Sequence, residues 1–221
     1  MKPKPKSEAT RQRILEAATG LFQRRGFEAA TMREIAAEAG MATGAAYYYF
    51  DSKDAIVLAF YERSAQEMEL LLEAALDGAK TLEQRIRTLL EVKFAYFEPN
   101  RPLLRALAGH TDPQHPLSPF SEQNRAIRER DMRYFERALA DSKITLPTDV
   151  TPILPGMLWM YQMGLILFWI YDRSEKQQLT RALIDQSAGA VAELIRIAAL
   201  PLLRPVRKRV AALVETVRRA A

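Results

Sequence analysis

The chain has 221 residues and no cysteine, and its 32 Lys and Arg against 27 Asp and Glu give a formal charge of +5. That length suits one small and one larger helical domain with a real core, while the missing cysteines exclude a disulfide framework and a thiolate metal site and fit a reducing cytoplasm. A basic balance favours nucleic acid or an anionic surface as partner. Its distribution is uneven, however: residues 1–60 hold nine basic against seven acidic side chains and residues 204–221 six against one, so the middle is net acidic.

In chain order, the opening MKPKPKSEAT has no apolar run, so no signal peptide is expected. Lys2, Lys4, Lys6, Arg11 and Arg13 form a basic arm that either follows a minor groove or is simply solvated. Ser7 is predicted to cap a helix reaching Arg25, with Ile14, Ala18, Leu21 and Phe22 on its buried stripe. Thr31 and Glu34 have capping-box spacing, which starts a second helix whose apolar face is Ile35, Ala36 and Ala39. Gly40 stands where a helix ends in a left-handed residue, and Met41 is placed to plug the gap beyond it. A short third helix, Thr43–Tyr49, carries three tyrosines and no charge, and Asp51 or Ser52 can cap the helix that follows. Helix, tight Gly turn, helix is the layout of a helix-turn-helix DNA reader.

The residues Ile14, Leu15, Ala18, Leu21, Phe22, Gly26, Phe27, Thr31, Ile35, Ala36, Gly40, Gly44, Tyr47, Phe50 and Lys53, in this order and spacing, resemble the N-terminal domain of the TetR family of transcriptional regulators. The match covers about 8–60 and departs in three places: Ala42 replaces a usual capping Ser or Thr, Ala46 a larger apolar residue, and Tyr49 a common His. The resemblance implies an all-α protein with a three-helix helix-turn-helix domain over 1–55. A larger helical domain for effector binding and dimerisation would occupy 56–221. It also implies roles at the DNA. Thr43, Gly44 and Ala45 would face base edges, Arg33 would reach a guanine, and Tyr47, with Tyr48 and Tyr49 beside it, would touch phosphate or sugar. Lys53 and the amides at Thr31 would complete a clamp on the backbone.

Further along, helices are predicted over Ser52–Leu76, Leu82–Phe97 and Pro102–Gly109, then a three-proline loop over 110–119. Within that loop, His110, Asp112 and His115 make a weak metal pattern with no second cluster, so a surface or lid role and no metal are expected. Ser121–Ala140, Thr151–Tyr171, Glu175–Leu200 and Pro205–Ala220 complete the helices, and the helix from Ser52 is expected to join the domains rigidly. Thr151–Tyr171 has no charge in 21 residues. Its Pro- and Gly-crowded start leaves about 16 good helical residues, roughly 24 Å, short of the ~30 Å hydrocarbon core. A helix buried on every side, with no membrane partner, is the better expectation.

No catalytic constellation, phosphate loop or cofactor motif is present in the sequence, which argues against an enzyme and implies no cofactor. Aromatic and Met side chains, among them Phe94, Phe97, Trp159 and Met163, can wall an apolar effector pocket. The family's homodimer, sealed by the last two long helices, would use the stripe containing Leu179, Leu183, Val191 and Leu194. The terminal helix sets Val206, Val210, Leu213 and Val217 against Arg207, Lys208, Arg218 and Arg219, and is expected to pack on the bundle with a solvated basic face. The expected function is a cytoplasmic, homodimeric repressor that leaves a palindromic DNA operator when a small apolar or amphipathic effector binds. An activator, or a regulator controlled by a protein partner, fits the same features.

Overall fold

A computed structural model describes residues 5–220, with side chains over 7–216. Lys2 and Lys4 lie outside the described residues, as do the side chains of Lys6, Val217, Arg218 and Arg219. The described residues form helices and turns with no strand. They divide into two compact units, 1–67 with 97–127 and 68–96 with 128–221.

The first unit holds α1 (Pro5–Arg25), α2 (Met32–Glu38), α3 (Thr43–Tyr49), the first part of α4 (Lys53–Leu76) and α6 (Arg101–Leu107), which follows α5 (Leu82–Phe97). Helix α1 begins before Ser7, which therefore sits inside the first turn and does not cap it. Ile14, Ala18 and Phe22 of α1, Ile35 and Ala36 of α2, Ala46 of α3, and Ile56 and Phe60 of α4 make one core, joined by Leu103, Leu107 and Leu117. This packing unit is thus wider than 1–55, because apolar side chains beyond Phe97 close the core. The turn between α1 and α2 needs Gly26 at φ 85°, and that between α2 and α3 needs Gly40 at φ 67°. Segment 108–124 has no helix, and its turns are held by Asn124, whose Nδ2 donates to the carbonyls of Pro116 and Ser118, each at 2.9 Å. Ser121 is spent in the same network, which is why the next helix, α7 (Arg125–Ala140), begins four residues later than predicted.

The second unit combines the rest of α4, α5 and α7 with α8 (Leu154–Tyr171), α9 (Gln178–Ala198) and α10 (Arg204–Ala220). Helix α8 is long and apolar enough to cross a membrane by length and composition alone. Its Leu158, Trp159, Gln162, Leu165, Trp169 and Ile170 are buried in the unit, the packing of a core helix. Met160, Leu167, Phe168 and Tyr171, on the other side, are exposed on a single chain, where the expected burial needs a partner subunit. Helix α9 starts later than expected, since Lys176 and Gln177 take left-handed backbone at φ 49° and 52°. Asp172 organises that turn by accepting from the amides of Ser174 (2.8 Å) and Thr180 (2.9 Å) and from both hydroxyls (2.7 Å each). Burial opposes the charge, yet these hydrogen bonds hold the carboxyl well below the usual range.

Helix α10 differs from its predicted packing. Arg207, expected on the solvated side, is buried; its guanidinium reaches Asp149 at 3.2 Å and donates to the carbonyls of Ala198 and Leu200 at 2.9 and 2.8 Å. It caps the end of α9, where free carbonyls favour a cation. Val206 and Leu213, expected to pack, are exposed.

Candidate nucleic-acid interface and the polar centre of the second unit

The reading helices are set by local chemistry. Thr31 Oγ1 accepts from the Glu34 amide at 3.3 Å, and Glu34 Oε2 accepts from the Thr31 amide at 2.9 Å, so the capping box is closed in both directions. Hydrogen bonds from Thr31, with the Arg25 charge added, hold the Glu34 carboxyl below its ordinary value. Arg25 pairs with Glu34 and Arg24 with Glu38, which ties the end of α1 to α2. Glycine 40 then turns the chain, Met41 packs against the core, and the Met41 amide donates to Ala36 O at 2.9 Å. Helix α3 starts at Ala42 in extended backbone with no side-chain cap, as expected from the alanine there.

Helix α3 has one fully buried position, Ala46, in the core shared with α2, where the small side chain lets the helix sit close. Around it, Thr43 is half-buried and Gly44 and Ala45 are exposed. Tyr48 is 83% exposed and Tyr47 50%, whereas Tyr49 packs partly on the core and meets Tyr48 edge-on at 5.3 Å. Arg33 is exposed on α2. The structure therefore brings Arg33, Thr43, Gly44, Ala45, Tyr47 and Tyr48 to the solvent side of one motif.

Three expected contacts already have intramolecular work. The amide of Thr31 is taken by Glu34. Lys53 Nζ donates to Phe27 O at 2.7 Å and Glu28 O at 3.3 Å and lies 4.6 Å from the Phe27 ring centre. It therefore pins the start of α4 to the turn after α1. Arg11, read as part of a basic arm, stands on α1 with its guanidinium 4.8 Å from the Phe50 ring centre. The first tie follows from the capping-box spacing, whereas sequence spacing carries no sign of the other two, because each joins segments distant in the chain. His110 and His115 stack face to face at 4.0 Å, and His115 Nδ1 accepts from the Leu117 amide at 3.2 Å. Among the described residues no three His, Cys, Asp or Glu converge on a metal-sized site.

In the second unit, Phe94 stacks on Trp169 at 5.1 Å, Trp159 lies under the Arg128 guanidinium at 6.0 Å, and Met163 is half-buried. Phe97 is not among them: it belongs to the first unit, where it meets Phe60 at 6.3 Å. The centre of this unit holds a group that aromatic patterning did not single out. Lys93 of α5, 3% exposed, pairs with Asp131 of α7 at 2.8 Å and donates to Gln162 Oε1 of α8 at 2.7 Å. Gln162 Nε2 donates in turn to Asp131 at 2.9 Å, so three helices meet in one closed triangle. The ring centres of Tyr134 and Phe135 lie 5.8 and 5.6 Å from the ammonium. Leu179 and Leu194 of the expected dimer stripe are 58% and 63% exposed, while Leu183 and Val191 are half-buried. Beside Leu179, a groove of about 620 Å³ runs along Leu167, Phe168 and Tyr171.

Two short helices about a glycine turn, with polar and aromatic side chains on their outer side, define a helix-turn-helix protein. Residues 14–60 match the model of bacterial regulatory proteins of the tetR family, and residues 85–212 match the tetracycline repressor-like C-terminal domain. The chain belongs to the TetR family of bacterial regulatory proteins. It is 34% identical over 94 residues to the transcriptional regulator BetI of Brucella canis, covering 42% of this chain and 48% of BetI, so the chain spans about half the length of such relatives. The transcriptional repressor KstR2 of Rhodococcus jostii is 29% identical over 144 residues, covering 63% of this chain and 70% of that one. A TetR regulator structure from Nitrosomonas europaea superposes with a TM-score of 0.63 at 20% identity, over 84% of this chain and 99% of that one. FadR from Bacillus subtilis, solved in complex with stearoyl-CoA, does so with a TM-score of 0.60 at 15% identity, over 83% and 96%.

Proposed function

We propose that this protein is a non-enzymatic, sequence-specific DNA-binding transcriptional regulator. In this reading it is a homodimeric repressor that leaves a palindromic operator when an apolar or amphipathic small molecule enters the second unit. The observation that carries the DNA reading is the outward set on α2 and α3. A recognition helix enters the major groove with its N-terminal residues against base edges. Thr43 and Arg33 supply hydrogen bonds to bases, Ala45 can meet a thymine methyl, and bare Gly44 permits close approach. Tyr47 and Tyr48 offer hydroxyls to phosphate, which positions the helix without reading sequence. The exposed apolar side of α8 and α9 supports the homodimer, since contiguous bare apolar surface marks a protein contact.

The effector reading rests on the aromatic second unit around Phe94, Trp159 and Met163, in which a multiply charged ligand would lack partners. Effector loading acts by population shift, favouring a dimer whose two recognition helices no longer match successive major grooves. Selection of bound sequences from random duplexes tests the DNA reading. The wild type enriches a palindrome, and Arg33→Ala or Thr43→Ala relaxes it at one position per half-site, by about 1–3 kcal/mol of discrimination. Tyr47→Phe instead lowers affinity for all duplexes alike. Unchanged preference in both Arg33 and Thr43 variants would overturn the base-reader assignment.

A further inference from the structure

We infer that the effector of the second unit is a monocarboxylate with an apolar body, and that its head group is received by Lys93 in exchange for Asp131; this rests on the effector reading above. The argument begins with charge. Lys93 is buried with the rings of Tyr134 and Phe135 beside it, where an ammonium without a counter-charge is costly to keep. Its counter-charge in this structure is Asp131, held at 2.8 Å. The two partners are not equally buried: Lys93 is 3% exposed, but the Asp131 side chain is 21% exposed. Asp131 therefore has a route to water that Lys93 lacks.

A ligand carboxylate can replace Asp131 one for one. The buried charge stays balanced, Asp131 turns outward to be solvated, and no unpaired ion is left inside. A neutral head group has no such exchange open to it, and a doubly charged one leaves an excess negative charge. Two further groups suit the exchange. Gln162 now bridges the pair, with its carbonyl on Lys93 and its amide on Asp131, and that amide can turn to the incoming carboxylate. Tyr134, on α7 with Asp131, is buried with its ring centre 5.8 Å from the ammonium and its hydroxyl without a hydrogen-bond partner. Because the Lys93–Asp131 bond is also one of the ties between α5 and α7, beside Arg85–Asp141 at the end of α7, its exchange converts ligand entry into loosening of α7.

The test uses the full-length chain and a ladder of straight-chain carboxylates, hexanoate to hexadecanoate, each with its matched primary amide. Binding is followed by calorimetry and release of the selected operator by fluorescence anisotropy. The wild type is expected to prefer the best carboxylate over its amide by about tenfold or more, since a hydrogen bond to a buried charge is among the stronger ones. Asp131→Asn removes the competing anion and is expected to tighten the carboxylate, not the amide. Lys93→Met should abolish the preference and leave amide binding in place. The double variant Lys93→Met, Asp131→Leu, which fills the site with apolar side chains, should behave the same and guards against misfolding of the single one. Equal binding of acid and amide, a preference that survives loss of Lys93, or weaker carboxylate binding in Asp131→Asn overturns the inference. If amides bind and release operator with no head-group preference, the effector reading stands and only the exchange falls. If nothing in the ladder binds, the exchange is overturned, and a wider metabolite screen that also leaves the operator bound takes the effector reading with it.

Discussion

Lys53 shows how a single side chain can hold two duties. Its ammonium closes on the carbonyls of Phe27 and Glu28 and lies beside the Phe27 ring, so it fastens α4 to the turn that aims α2. A hydrogen bond from a charged donor contributes about 1.5–3 kcal/mol, less where the group is half in water. Lys53→Ala is therefore expected to lower the stability of the first unit by about 1–2 kcal/mol in denaturant titration, alongside any loss of DNA affinity. A variant with unchanged stability and weaker DNA binding would make Lys53 a pure phosphate contact. At Ala46 the argument is spatial. The position is fully buried where α3 meets α2, so the alanine that looks too small by family pattern is the residue that brings the reading helix close.

At the scale of elements, helix ends decide where the chain turns. Helix α2 has a complete capping box, whereas α3 begins at Ala42 in extended backbone with no side-chain acceptor. The backbone there already has the geometry of a cap. Ala42→Ser should thus stabilise the motif by about 0.5–2 kcal/mol, read as a higher melting temperature. No gain would mean that another group already satisfies the first amides of α3. Asp172 makes the opposite test at the start of α9. Its carboxyl is held low in the folded chain, so its contribution is fully present above the unfolded value near 4 and is lost as pH falls through the lower folded value. Asp172→Asn should be less stable than the wild type at neutral pH, and the gap should shrink steadily below about pH 4. A gap independent of pH would show that the charge on Asp172 is not what holds the turn.

For the whole molecule, the exposed apolar side of α8 and α9 matters most. Leu179 and Leu194 are largely exposed on the single chain, and Leu179 lies next to bare Leu167, Phe168 and Tyr171. Charges placed there meet water in the monomer but unpaired burial in a homodimer. Leu179→Glu and Leu194→Arg are accordingly expected to keep native circular dichroism while light scattering reports half the wild-type mass. Folded variants that retain the wild-type mass would move the subunit contact elsewhere. Helix α10 is fastened by buried Arg207, through Asp149 and the carbonyls that end α9.

Local rules were enough for much of this protein. The capping pair Thr31 and Glu34, Gly40, the caps and breakers around Lys53–Leu76 and Leu82–Phe97, and the absence of alternating apolar runs are all short-range signals, and the helices they predict are the helices observed. The family followed from the same spacing. What sequence alone left undecided is which polar side chains fold back on nearby backbone, and whatever depends on partners far apart in the chain. The late start of α7 is decided by Asn124 and Ser121 folding a turn together, and that of α9 by Asp172 gathering Ser174 and Thr180. The inward turn of Arg207 is decided by Asp149, 58 residues away. Lys93 gains its place at the centre of the second unit only through Asp131 and Gln162, which two other helices bring to it. Helical period tells which residues share a face, but only tertiary packing determines what that face meets, and hence where a buried charge finds its counterion.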